Sequence, residues 1–165
     1  MRLTSLFMGL ILVACDLPPD RSASPDRPAA DQAFAEVQTR GATAMGVNQY
    51  TSRHVFESLP DGGRIELERE LEDSAGADQI NRHMRDIAER FASGDFALPG
   101  FVHARAVPGT AVMAARRAAI AYSVETLPRG AALRLRTSDP AALAAIHEFL
   151  AFQRQDHHAG GHRDS

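Results

Sequence analysis

Apolar and polar residues alternate in two short blocks of the chain that share one layout. From Glu57 it reads Glu-Ser-Leu-Pro-Asp-Gly-Gly-Arg-Ile-Glu-Leu-Glu-Arg; from Glu125 it reads Glu-Thr-Leu-Pro-Arg-Gly-Ala-Ala-Leu-Arg-Leu-Arg-Thr. The blocks align without a gap, with Leu59-Pro60 on Leu127-Pro128, Gly62 on Gly130, and Ile65 and Leu67 on Leu133 and Leu135. A Pro-x-Gly turn followed by alternation predicts a β-hairpin in each block. In the first hairpin His54 and Phe56 share a face, as do Ile65 and Leu67, while Glu66, Glu68 and Glu70 face water. Ile120, Tyr122 and Val124 alternate into the third strand, and the alignment sets His54 against Tyr122.

Helical spacing follows each hairpin. Ile80, Met84, Ile87, Ala88 and Phe91 form a stripe that predicts a helix over 76–92, stopped by Gly94. Asp139 is placed to cap the last helix and Pro140 suits its first position; Leu143, Ile146 and Leu150, widened by Phe149, form its apolar stripe. The connection between the units is punctuated by Pro99-Gly100 and Pro108-Gly109, with a short helix expected over 110–117. The expected class is α+β: two ββα units, duplicated or convergent, forming a four-stranded antiparallel sheet with both long helices on one face. Glu66 and Glu68 align with Arg134 and Arg136. Placing the second strands of the two hairpins at the centre would therefore set opposite charges side by side.

The stretch from Asp16 to about Gly41 is rich in Pro, Asp, Ala and Ser and has no sustained apolar period. It predicts a flexible tether, with a turn or two of helix at 33–37 and order beginning near Met45. The organisation expected is a signal segment over 1–14, a tether over 15–44, a domain over 45–158 and a disordered tail over 159–165.

Composition narrows the partners. The 165 residues, 44% hydrophobic and 24% charged, suit one domain with a real core. All 18 basic residues are Arg, and the net charge of −3 gives no reason to expect nucleic acid. There is no Trp, and the one cysteine, Cys15, rules out an intrachain disulfide.

Arg2 and the apolar run from Leu6 to Ala14 read as a secretory leader, too short for a span that needs about 20 apolar residues. The following Leu12-Val13-Ala14-Cys15 resembles the lipobox of bacterial lipoprotein precursors. That resemblance implies a diacylglyceryl group on the Cys15 sulfur, cleavage before Cys15, and a further acyl chain such as palmitate on the new N-terminus. Two or three acyl chains anchor stably where one does not. The chain would then face the periplasm from a membrane of the cell envelope, with Asp16 favouring the inner one. The plain alternative is an ordinary signal peptide cut elsewhere. Two runs in the body, Val107-Pro108-Gly109-Thr110-Ala111-Val112-Met113 and Ile146 to Gln153 with Asp156-His157, resemble an uncharacterised group of small exported bacterial proteins. Some of that group are labelled aspartate carbamoyltransferase. That enzyme's Ser-Thr-Arg-Thr-Arg loop is absent here, Thr51-Ser52-Arg53 being the nearest fragment, so the resemblance implies a location and a fold but no activity.

Histidine is the conspicuous chemical resource: His54, His83, His103, His147, His157, His158 and His162. Imidazole suits zinc or copper, and with a thioether such as Met84 it suits copper. Spacing alone forms no ligand motif: His147-Glu148 begins like a zincin helix, but Ala151 stands where the second histidine belongs. A metal site therefore requires tertiary convergence, and the set expected is His83 and His147, on corresponding helices, with His103 or His157. The alternative is that helix-edge histidines bond to backbone and the rest are solvated. No nucleophile elbow, P-loop or dinucleotide fingerprint is present. Three readings follow: a structural or interaction lipoprotein that meets another envelope protein, a periplasm-facing copper or zinc binder, and, last, a small hydrolase or transferase.

Overall fold

The computed structural model describes residues 27–159. The chain runs through helix α1 (Arg27–Met45), a 3₁₀ turn (Gln49–Thr51), strands β1 (Ser52–Leu59) and β2 (Gly62–Arg69), and helix α2 (Ser74–Ser93). It continues through α3 (Ala97–His103), α4 (Thr110–Ala115), β3 (Ile120–Leu127), β4 (Gly130–Thr137) and α5 (Pro140–Asp156). The fold is α+β. One antiparallel sheet has the order β1-β2-β4-β3, so the second strands of the two hairpins pair at the centre.

The central pairing explains the repeated motif. Ile65 lies opposite Leu133, its own counterpart in the alignment, so a local two-fold axis passes between them. The contacts of the central strands around that axis occur twice. The Arg69 amide donates to the Arg129 carbonyl at 2.9 Å, and the Thr137 amide donates to the Asp61 carbonyl at 3.0 Å. A Cβ on Gly62 would stand 2.0 Å from the Leu135 oxygen, and one on Gly130 would stand 2.0 Å from the Leu67 oxygen. Only glycine lets the central strands approach this closely at their ends.

The expected charge pairing does not form, although the strand order it suggested does. Antiparallel pairing reverses one strand, so aligned positions face each other only at the axis. Arg64 stands opposite Arg134, and Glu66 stands opposite Ala132. The acidic row instead bonds to arginines of its own hairpin. Arg53 reaches Glu66 at 2.6 Å and Glu68 at 3.1 Å, while Arg64 reaches Glu66 at 3.2 Å and Glu125 at 2.8 Å. Glu66 and Glu68 are consequently buried under guanidinium groups rather than solvated; Glu70 is exposed, as expected.

The other sheet face carries the core. Phe56, Ile65, Leu67, Leu133 and Leu135 pack there with Ile80, Met84 and Phe91 of α2 and with Ile146, Phe149 and Leu150 of α5. Each long helix crosses the axis: α2 lies mainly over β3 and β4, and α5 over β1 and β2. The caps are the expected ones. Asp139 accepts from the amides of Ala141 and Ala142, and Gly94 ends α2 in the left-handed region at φ 87°. The α5 stripe is rotated from the expected one. Ala142 and Ala145 are buried while Leu143 is only half-buried, because α4 packs against the small side chains and inserts Met113.

The tether expectation needs correction from Arg27 onward. That stretch is helix α1, with Val37 and Gln38 buried and the Arg40 Nε donating to the Val102 carbonyl at 2.7 Å. Ala-rich sequence with few apolar side chains still favours helix, and docking on α3 supplies the contacts that periodicity did not announce. The expected signal segment, Cys15 and the tail from 160 lie outside the described residues.

Candidate functional site

Between the first hairpin and the helices lies a cavity of about 90 Å³. Its floor is the inner face of β1 and β2, with His54, Phe56, Ile65 and Leu67; α2 gives His83, Met84 and Phe91, and α5 gives Phe149 and Gln153. The outer wall is Gly41, Ala44 and Met45 of α1 and Leu98, Pro99 and Val102 of α3. His103 closes α3, His157 follows α5, and Gln49 comes from the 3₁₀ turn; all three line the same space.

The histidines form a row. The His54 and His157 rings lie 5.2 Å apart at 18°, with the Phe56 ring 5.5 Å from His157. His103 meets His157 edge-on at 5.1 Å. The His103 Nδ1 donates to Asp156 at 2.5 Å, and its Nε2 lies 3.0 Å from the Gln153 amide oxygen. Arg105 bonds the second Asp156 oxygen at 2.5 Å and lies over the Phe152 ring. Both His103 nitrogens are thus engaged, and the ring is fixed.

The other rings are held neutral. Burial pushes His54 down to about 4, with His83 adding to the effect. Burial likewise takes His83 to about 4, against the pull of Asp86. His157 falls to about 3, through burial first and then through His54, His103 and His158. Three buried polar atoms here have no partner: the Nε2 of His54, the Nδ1 of His157 and the Oε1 of Gln49. Buried polar atoms are nearly always bonded, so three around one cavity mark a place where something else can bond.

Of the four residues expected to gather on a metal, three line this cavity: His83, His103 and His157. His147 does not. Its Nε2 donates to the carbonyls of Leu59 at 2.9 Å and Gly62 at 3.0 Å, at the tip of the first hairpin. Its true counterpart in the repeat is Asn81, which donates to the Gly130 carbonyl at 2.8 Å. His147 and Asn81 are equivalent latches from helix to turn, so the expected pairing of His83 with His147 across the axis is not made. Among the described residues, no three His, Cys, Asp or Glu side chains converge on a point that could hold a metal ion. His54, which the sequence alignment sets against Tyr122 and which was not among the expected metal ligands, joins the row. Gln49 carried no sequence signal, because an isolated polar residue before a strand has no periodicity to betray its burial.

No protein-family model, curated protein or solved structure matches this chain.

Proposed function

We propose that the chain is a lipid-anchored protein of the bacterial cell envelope whose folded domain is a binding module, taking a small uncharged ligand into the histidine-lined cavity. The lipobox-like run ending at Cys15 supports the anchor. Among the described residues no helix is long and apolar enough to cross a membrane. The observation that carries the binding role is the trio of unpartnered polar atoms on Gln49, His54 and His157 around one apolar space. The module hands the ligand to, or senses it for, another component of the envelope; nucleic acid is not a partner. Catalysis is not part of the proposal, because the one carboxylate–histidine pair at the cavity, Asp156 with His103, has no nucleophile beside it among the lining residues.

Two experiments test this. Cys15→Ser should release the protein from membranes or block its processing; unchanged membrane association and unchanged mass would remove the anchor. A thermal-shift screen of uncharged small molecules against the full chain should find compounds that raise the melting temperature. A ligand at 100 times its Kd adds about 2.7 kcal/mol. A screen without one such compound would remove the binding role.

A second reading has one observation in its favour. Neutral imidazoles with free nitrogens beside Met84 are the form a copper or zinc ion needs, and His54 with His157 supply two. Metal content of the untagged protein, measured before and after His54→Phe, distinguishes it.

A further inference from the structure

We infer that the ligand of this cavity is a planar, uncharged ring bearing a hydroxyl group, of the phenol class; the inference rests on the binding reading above. Three features of the walls point there. The first is charge. No Asp, Glu or Arg side chain lines the space, and His54, His83 and His157 are held neutral by burial, so an ionised ligand would lose its hydration with little to replace it. The second is shape. His54, His157 and Phe56 stack on one another as near-parallel rings, and with Phe91 also in the lining the space has an aromatic wall, which favours a flat guest over a bulky one.

The third is hydrogen bonding. The Gln49 Nε2 donates to the Val47 carbonyl at 3.2 Å, which fixes the amide so that its Oε1 is the free end. That oxygen can only accept, so the ligand must donate. The free nitrogens of His54 and His157 can each donate or accept, according to tautomer. A phenolic hydroxyl gives one proton and takes another, matching an acceptor and a donor together. Size requires the wall to yield. A benzene-sized guest occupies an engineered cavity of about 150 Å³, larger than the 90 Å³ present. The wall that can move is α1 with α3, since α1 rests mainly on α3 and the 3₁₀ turn rather than on the sheet.

The test uses the full chain in lipid nanodiscs at pH 7, with empty discs as blank. Phenol, anisole, cyclohexanol and benzoate are titrated while the histidine ring resonances are followed. Phenol should perturb His54 and His157, with anisole at least ten-fold weaker, cyclohexanol weaker than phenol and benzoate inert. Gln49→Met, which keeps the side-chain length, should bring the phenol-to-anisole ratio toward one while the circular dichroism spectrum stays that of the parent. Anisole binding as tightly as phenol, or an unchanged ratio in Gln49→Met, would overturn the hydroxyl assignment. Benzoate binding best would overturn the uncharged one. Silence from all four rings, with another uncharged compound active in the thermal screen, overturns the phenol class and leaves the cavity its binding role. Silence from both ends the two together. Cu(I) shifting the rings when no phenol does would overturn the inference in favour of the metal.

Discussion

His54 and Tyr122 occupy equivalent places on the edge strands of the two halves, both under the helices and both with a buried polar atom lacking a partner. Their surroundings differ. Over Tyr122 the space is filled: Phe91 lies 6.1 Å away edge-on, with Phe96 stacked on Phe91 at 4.4 Å. Burial raises the Tyr122 hydroxyl pKa, so that group simply stays neutral. Over His54 the space is a cavity walled by α1 and α3, with further histidines around it. The repeat builds two equal edges, and the added helices enclose a cavity over one of them. The proposed binding place thus lies where the two-fold symmetry of the scaffold fails.

Acid should break this comparison most strongly. The folded-state pKa values of His54, His83 and His157 lie below the ordinary 6.5, so the unfolded chain binds more protons than the folded one. Stability is full above pH 6.5 and falls as pH drops toward 4, by up to about 1.4 kcal/mol per pH unit for each ring. Lowered Asp73, Asp95 and Asp139 add losses only below their ordinary 3.8. Chemical denaturation at pH 7 and pH 4.5 should show a loss of several kcal/mol. His54→Phe with His157→Leu, which removes two of the three rings, should reduce it by about two thirds; an unchanged loss would mean that these two rings are not the acid-labile groups.

The shared framework gives the next effect. Gly62→Ala and Gly130→Ala should each cost about 3 kcal/mol, because the new Cβ meets a carbonyl on the opposite central strand. Gly62→Ala should cost more, since Gly62 also sits at φ 143°. Urea midpoints of the two variants measure the comparison, and a mild Gly130→Ala would deny that the halves meet symmetrically. The smallest effect concerns the latches. His147→Ala and Asn81→Ala should each cost about 1–2 kcal/mol and leave phenol binding unchanged. A change of affinity in His147→Ala alone would return that ring to the site.

The hairpins and helix caps were legible because a two-residue period, a Pro-x-Gly turn and a capping residue are local signals. The central strand order followed from a charge argument whose pairs do not exist; Arg64 facing Arg134 shows that the hydrophobic pair at the axis sets the register. His83, His103 and His157, expected from the sequence on a metal, line one cavity. His147 was misplaced because the helices repeat with a different offset from the strands: Asp73 matches Asp139, and so Asn81, not His83, matches His147. Helix α1 was illegible for the opposite reason. Its few apolar residues make no stripe, and only the tertiary surface of α3 shows which ones are buried.

The crossing of the long helices also dictates the order in which this chain can fold. When α2 emerges during synthesis, the strands it will cover, β3 and β4, have not yet been made. Strand β2 has an open edge until β4 arrives, and β1 has no cover until α5 does. A first half released alone is therefore a hairpin with a largely bare apolar face and a helix with only β2 of its strands to lie on, the kind of species that aggregates. Because each long helix covers mainly the strands of the other unit, the domain closes only when both units are present. Neither ββα unit is a folding unit, although each is a unit of the pattern.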